Sequence, residues 1–162
     1  MKIDYIVAVL LFFPLLIIQT TIVPLIAING VIPDLIIILL AFYTLKMGQL
    51  HGTILGFIYG LLFDLITGGL LGSSMLSKTM TGFVIGYFYN ENKKDIYLKS
   101  FIFPLIVLLA STIDSFILSF FSTVDLNTSI TTFFIEQGIL PGIYTAVFSI
   151  IVIVFYPRRI TS

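Results

Sequence analysis

Residues 52–69 read GTILGFIYGLLFDLITGG, and in this stretch Gly52, Gly56, Gly60 and Asp64 recur at every fourth position before the pair Gly68-Gly69. On a helix of 3.6 residues per turn that spacing gathers the four on one slowly drifting face. Everything between them is apolar or aromatic apart from Thr53, which suits lipid better than water. In lipid, helices associate through small residues that let backbones approach, so a Gly-x-x-x-Gly-x-x-x-Gly run marks a helix–helix seam. The next apolar stretch answers it with Lys78, Gly82 and Gly86, also four apart. The two stripes are expected to face each other across a tight turn at Thr67-Gly68-Gly69, with Gly72 just beyond it. Asp64 then lies shortly before the turn and Lys78 shortly after it, at similar depth. A lone charge near the centre of a membrane helix costs about 2.5–3.5 kcal/mol on insertion scales, so an Asp64–Lys78 ion pair is expected. The plainer reading is that Lys78 snorkels to the surface while Asp64 sits at a helix end.

Composition extends the membrane reading outward. The chain has 162 residues, of which 59% are hydrophobic and 10% charged, with a mean hydropathy of +1.17. A transmembrane helix takes roughly 20 apolar residues, so the length holds about six and leaves little for anything outside the bilayer. Charges and turn residues place the segments at about 5–23, 32–47, 51–67, 71–90, 99–121 and 134–156. The fold class expected is an all-α integral membrane protein of about six transmembrane helices, a single domain over residues 1–162. The segments 32–47 and 51–67 are short, about 24 Å each against a hydrocarbon core of about 30 Å, and either thin the bilayer or form a re-entrant hairpin. Both arrangements return the chain to the same side. The first segment is longer than a signal-peptide core and has no small-residue cleavage site, so it reads as a retained helix.

Orientation follows from the basic residues. With the N-terminus inside, Lys2, Lys46, Lys93, Lys94, Lys99, Arg158 and Arg159 are all cytoplasmic, seven of the eight Lys and Arg. The outer loops at about 24–31, 68–70 and 122–133 then contain none, and Asp34, Asp125 and Glu136 mark the outer ends; N-in/C-in is the expected topology. Formal net charge is zero, which leaves no basic field for nucleic acid. Cysteine is absent, which excludes disulfides, thiolate nucleophiles and Cys-ligated metals. Asn127-Thr128-Ser129 matches a glycosylation sequon, a pattern common by chance.

Other polar residues break the apolar pattern. Asp114 falls within the fifth segment, with Ser111, Ser115 and Ser119 on a nearby face; an intramembrane carboxylate is either a functional group or a hydrogen-bond acceptor for neighbouring helices. Pro33-Asp34 reads as a helix cap, because proline loses no hydrogen bond there and the carboxylate favours the positive end of the helix dipole. His51, the only histidine, sits near Lys46 and Gln49 at an interfacial position. Pro141-Gly142 suggests a kink or close packing in the last helix, and Pro14 and Pro104 invite the same reading. No nucleophile-and-base pair, metal-ligand cluster, phosphate loop or Gly-x-Ser-x-Gly elbow is present, so neither catalysis nor a cofactor is expected.

Pro33-Asp34-Leu35, the run Gly52-x-x-x-Gly56-x-x-x-Gly60-Leu61-x-x-Asp64-Leu65-x-x-Gly68, then Leu71-Gly72, Ser77-Lys78-Thr79 and Gly82-x-x-x-Gly86 together resemble the rod shape-determining protein MreD family. The match is specific over roughly residues 33–90 and hydropathic elsewhere. The resemblance carries over Gly52, Gly56, Gly60, Asp64 and Gly72 as family signature positions; not every relative has a base at the position of Lys78. It implies a multi-pass subunit of the bacterial cytoplasmic membrane with an organisational role in the elongation machinery. Its direct partner would be MreC, with MreB filaments, RodA and a penicillin-binding transpeptidase reached through the complex, in membrane lipid.

The family is also similar in architecture to the six-helix substrate-binding subunits (S-components) of energy-coupling-factor vitamin transporters, which supplies an alternative. In that reading Asp34, Asp64, Lys78 and Asp114 line an outward-facing vitamin pocket. The absence of tryptophan for stacking a ring, and of small-residue repeats in the first helix for docking a transducer, weigh against it. A channel using Asp64 and Asp114 would need a continuous polar path, and the inner halves of the helices offer none.

Overall fold

The computed structural model describes residues 2–122 and 135–155. Its helices are α1 (Lys2–Thr21), α2 (Leu35–Met47), α3 (Gln49–Thr67), α4 (Ser73–Gly86), α5 (Lys94–Lys99), α6 (Ile102–Ser122) and α7 (Leu140–Phe155). A 3-10 turn (Val23–Ile26) follows α1 and a π turn (Ile135–Ile139) leads into α7. Among the described residues there is no strand, only a single bridge between Ile28 and Val31. Asp125, Asn127-Thr128-Ser129, Arg158 and Arg159, with the side chains of Lys2 and Glu136, lie outside the described residues.

Among the described residues, three helices are long and apolar enough to cross a membrane: Asp4–Thr21, Gln49–Thr67 and Ile102–Phe121. Leu35–Met47 and Leu140–Ile151 are apolar but shorter. The third segment is longer than expected, because a single residue, Gly48, separates α2 from α3 and the helix restarts at Gln49. Its 19 residues extend about 28 Å, close to a hydrocarbon core. The fourth is shorter than the expected 71–90. After Gly86 the amides of Tyr87, Phe88 and Tyr89 bond to the carbonyls of Val84, Ile85 and Gly86, each three residues back, and this tightening ends the helix. The fifth segment starts at Ile102 rather than 99, preceded by the short α5. Pro104 lies in the first turn of α6, where a missing N–H breaks no helical bond.

Packing is closest between α3 and α4; α6 lies against α4 and α7, and α1 joins through α2. Between α1 and α3, the Phe12 and Tyr59 rings stack 4.8 Å apart, and the buried Tyr59 hydroxyl donates to the Ala8 carbonyl at 2.9 Å. Large apolar side chains such as Leu10, Leu25, Phe101, Leu105 and Val154 face outward. In water that surface would be an aggregation liability; against lipid tails it costs nothing.

Candidate functional site

The α3–α4 seam places backbones against each other where the glycines stand. A side chain at Gly56 would run into the Lys78 carbonyl, one at Gly60 into the Ser74 carbonyl and Met75 Cα, and one at Gly82 into the Gly52 carbonyl. Gly86 meets Gln49 in the same way. Gly52 faces two neighbours, since its own missing side chain leaves room for Thr44 of α2 while its carbonyl lies under Gly82. Between the two helices Gly68 and Gly72 take left-handed conformations, φ +66° and +101°, which non-glycine residues adopt only with strain. Gly69 does not share that conformation.

The expected Asp64–Lys78 ion pair does not form. Asp64 is buried and accepts from three backbone amides at the start of α4: Gly72 at 2.9 Å, Ser74 at 3.2 Å and Met75 at 3.2 Å. The first turn of any helix exposes unpaired N–H groups, and Gly72 at the α4 N-cap has no side chain to satisfy them. The turn folds these amides back over Asp64, so the carboxylate of the preceding helix caps the following one. Lys78 lies further along α4, three residues beyond the last of these amides.

Lys78 instead bridges two other carboxylates. Its ammonium donates to Asp34 Oδ2 at 2.9 Å and to Asp114 Oδ2 at 3.1 Å, and it lies 5.7 Å from the centre of the Phe63 ring. The three residues come from α4, the head of α2 and the middle of α6. Lys78 and Asp114 are almost wholly buried, whereas the Asp34 side chain keeps 24% exposure. Asp34 is also the helix cap expected of Pro33-Asp34: Oδ1 accepts from the amides of Ile36 (2.9 Å) and Ile37 (3.1 Å) while Oδ2 takes the lysine. On the far side Ser77 donates to Asp114 Oδ1 at 2.5 Å, and its oxygen lies 2.9 Å from the Asp114 carbonyl.

Further polar groups extend this layer. The Asp34 amide donates to Thr145 Oγ1 of α7 at 3.0 Å, and Ser111 of α6 donates to the same hydroxyl at 3.1 Å. Gln19 of α1, absent from the residues that the sequence singled out, accepts from the Leu35 amide and donates to the Pro33 carbonyl. A glutamine within an apolar helix was the available signal. Pro141-Gly142 marks a close approach of α7 to α6, for a side chain at Gly142 would meet Thr112 Oγ1. Ser115 and Ser119 line a cavity of about 320 Å³ beside the triad. His51 packs against Tyr5, ring centres 5.1 Å apart, near the opposite end of α3. No group of three metal-ligating side chains occurs among the described residues.

A family model described as rod shape-determining protein MreD matches residues 1–159, nearly the whole chain. The chain belongs to the MreD family. No curated protein matches it, and no solved structure does. Membership in the MreD family gives the chain a role in rod shape determination within that machinery. The vitamin-transporter alternative finds no support beside this match, and the expected likeness to transporter S-components is not confirmed by a structural match. Within the chain the polar and glycine positions of the site have distinct structural roles. The glycines bring backbones together, Asp64 closes the hairpin, and Asp34 with Lys78 and Asp114 ties distant helices.

Proposed function

We propose that this MreD-family chain is a non-catalytic, multi-pass subunit of the bacterial cytoplasmic membrane that binds MreC and, through it, helps organise MreB filaments, RodA and a penicillin-binding transpeptidase during peptidoglycan synthesis. Six crossings with both ends inside complete the reading. The observation that carries it, beside family membership, is the Asp34–Lys78–Asp114 triad. Its contacts hold α2, α4 and α6 in one register, and Gln19 and Thr145 add α1 and α7. A partner docking on such a body meets a preformed surface and loses little freedom in ordering it. The hydroxyls of Ser77 and Thr145 are engaged with neighbouring acceptors, and His51 is packed against Tyr5 at the other end of the bundle.

The test is co-purification in mild detergent of the tagged protein, expressed with MreC and an energy-coupling transducer from the same host. MreC is expected to be retained, at a level unchanged by Gly69→Ala and at least tenfold lower in Gly56→Leu. Loss of MreC from monodisperse wild-type protein, or retention of the transducer alone, overturns the proposal.

A further inference from the structure

With both carboxylates ionised, the triad is one positive charge short. Two carboxylates face one ammonium, and no other basic side chain forms an ion pair with Asp34 or Asp114 among the described residues. The donors in this cluster, the two α2 amides, the ammonium and the Ser77 hydroxyl, all point at carboxylate oxygens. An uncompensated charge at this depth is expensive.

The cavity of about 320 Å³ lies on these same residues, and it is at the lower end of the size of small-molecule sites. Asp34 is the exposed member of the triad, so an entering group meets its carboxylate first. Ser115 and Ser119 supply hydroxyls on the α6 side, Gln19 and the already paired Lys78 also line the cavity, and the remaining walls are apolar, formed by Ile32, Phe63 and neighbours. A bare metal ion would need a shell of about six oxygens, which these walls do not provide. A primary ammonium needs three acceptors, and a short carbon body beside it fits the apolar walls.

We propose that this cavity binds the primary ammonium group of a small amphiphile, which Asp34, Ser115 and Ser119 accept and which brings the triad to neutrality. The ethanolamine headgroup of a phospholipid and a free amine share this chemistry. The inference rests on the triad and the cavity alone, not on the elongation role, so MreC binding and amine binding can fail separately.

The test is thermal unfolding of the full chain in detergent with butylammonium, tetramethylammonium or potassium chloride at equal ionic strength. Butylammonium is expected to raise the midpoint by about 2–4 °C, on the order of the shift that a near-saturating ligand gives a chain of this size. The other two salts are expected to do nothing. Asp34→Asn, which keeps a capping side chain while removing the charge, and Ser119→Phe, which fills the cavity, should each abolish the shift. Native mass spectrometry then separates the sources: preferential retention of phosphatidylethanolamine over phosphatidylcholine identifies a headgroup, and an amine shift without that preference identifies a free amine. No shift with butylammonium, an equal shift with tetramethylammonium, or a shift surviving in Ser119→Phe overturns the proposal.

Discussion

Removing Lys78 leaves Asp34 and Asp114 without their shared counter-ion, whereas removing Asp114 leaves Lys78 paired with Asp34 at 2.9 Å and takes away the acceptor of Ser77. Lys78→Met is therefore expected to cost about 3–5 kcal/mol and Asp114→Leu less, with the double mutant differing from the sum by more than about 1 kcal/mol. Lys78→Met with Asp64→Ala, which share no partner, should add to within about 0.5 kcal/mol. Comparable coupling in both double-mutant cycles would contradict the assignment. The buried charge of Lys78 made its need for a carboxylate legible in the sequence, and proximity across the turn pointed to Asp64. Asp64, however, is claimed by the α4 amides, which have no nearer cap, and Asp34 and Asp114 reach Lys78 from segments 44 and 36 residues away. The need for compensation is local; the identity of the partner depends on tertiary packing that no spacing rule contains.

Between elements, the glycine stripes were the most readable feature, because a four-residue period of missing side chains has few explanations inside an apolar helix. Their facing arrangement needed only the short turn at Gly68-Gly69. Less readable were the ends: Gly48 as the sole break between α2 and α3, and the early stop of α4, are decided by hydrogen bonds within one turn. Two glycines a short distance apart separate the seam from the turn. Gly60→Ala pushes a methyl into the α4 backbone and is expected to cost about 1–3 kcal/mol. Gly69→Ala, whose nearest neighbour would be Thr67 Oγ1 at 3.7 Å, should fall within about 0.5 kcal/mol of wild type. Thermal unfolding in detergent measures both, and equal losses would mean that the helices are not in backbone contact.

At the scale of the whole molecule, the segment pattern was legible from hydropathy; among the described residues three helices have the length to span, and α2, α4 and α7 are shorter. Topology can be tested directly because the chain contains no cysteine of its own. With an impermeant maleimide on intact cells, Leu70→Cys is expected to label and Lys93→Cys only after lysis; the reverse pattern would invert the orientation. The triad also has a bearing on biosynthesis. Lys78 leaves the ribosome after Asp34 but well before Asp114, so a growing chain holds this lysine with one of its two counter-charges until α6 has been made. A chain ending at residue 100 lacks Asp114 but keeps the one-to-one Lys78–Asp34 pair, so Lys78→Met should shorten the life of that fragment as well as that of the full chain.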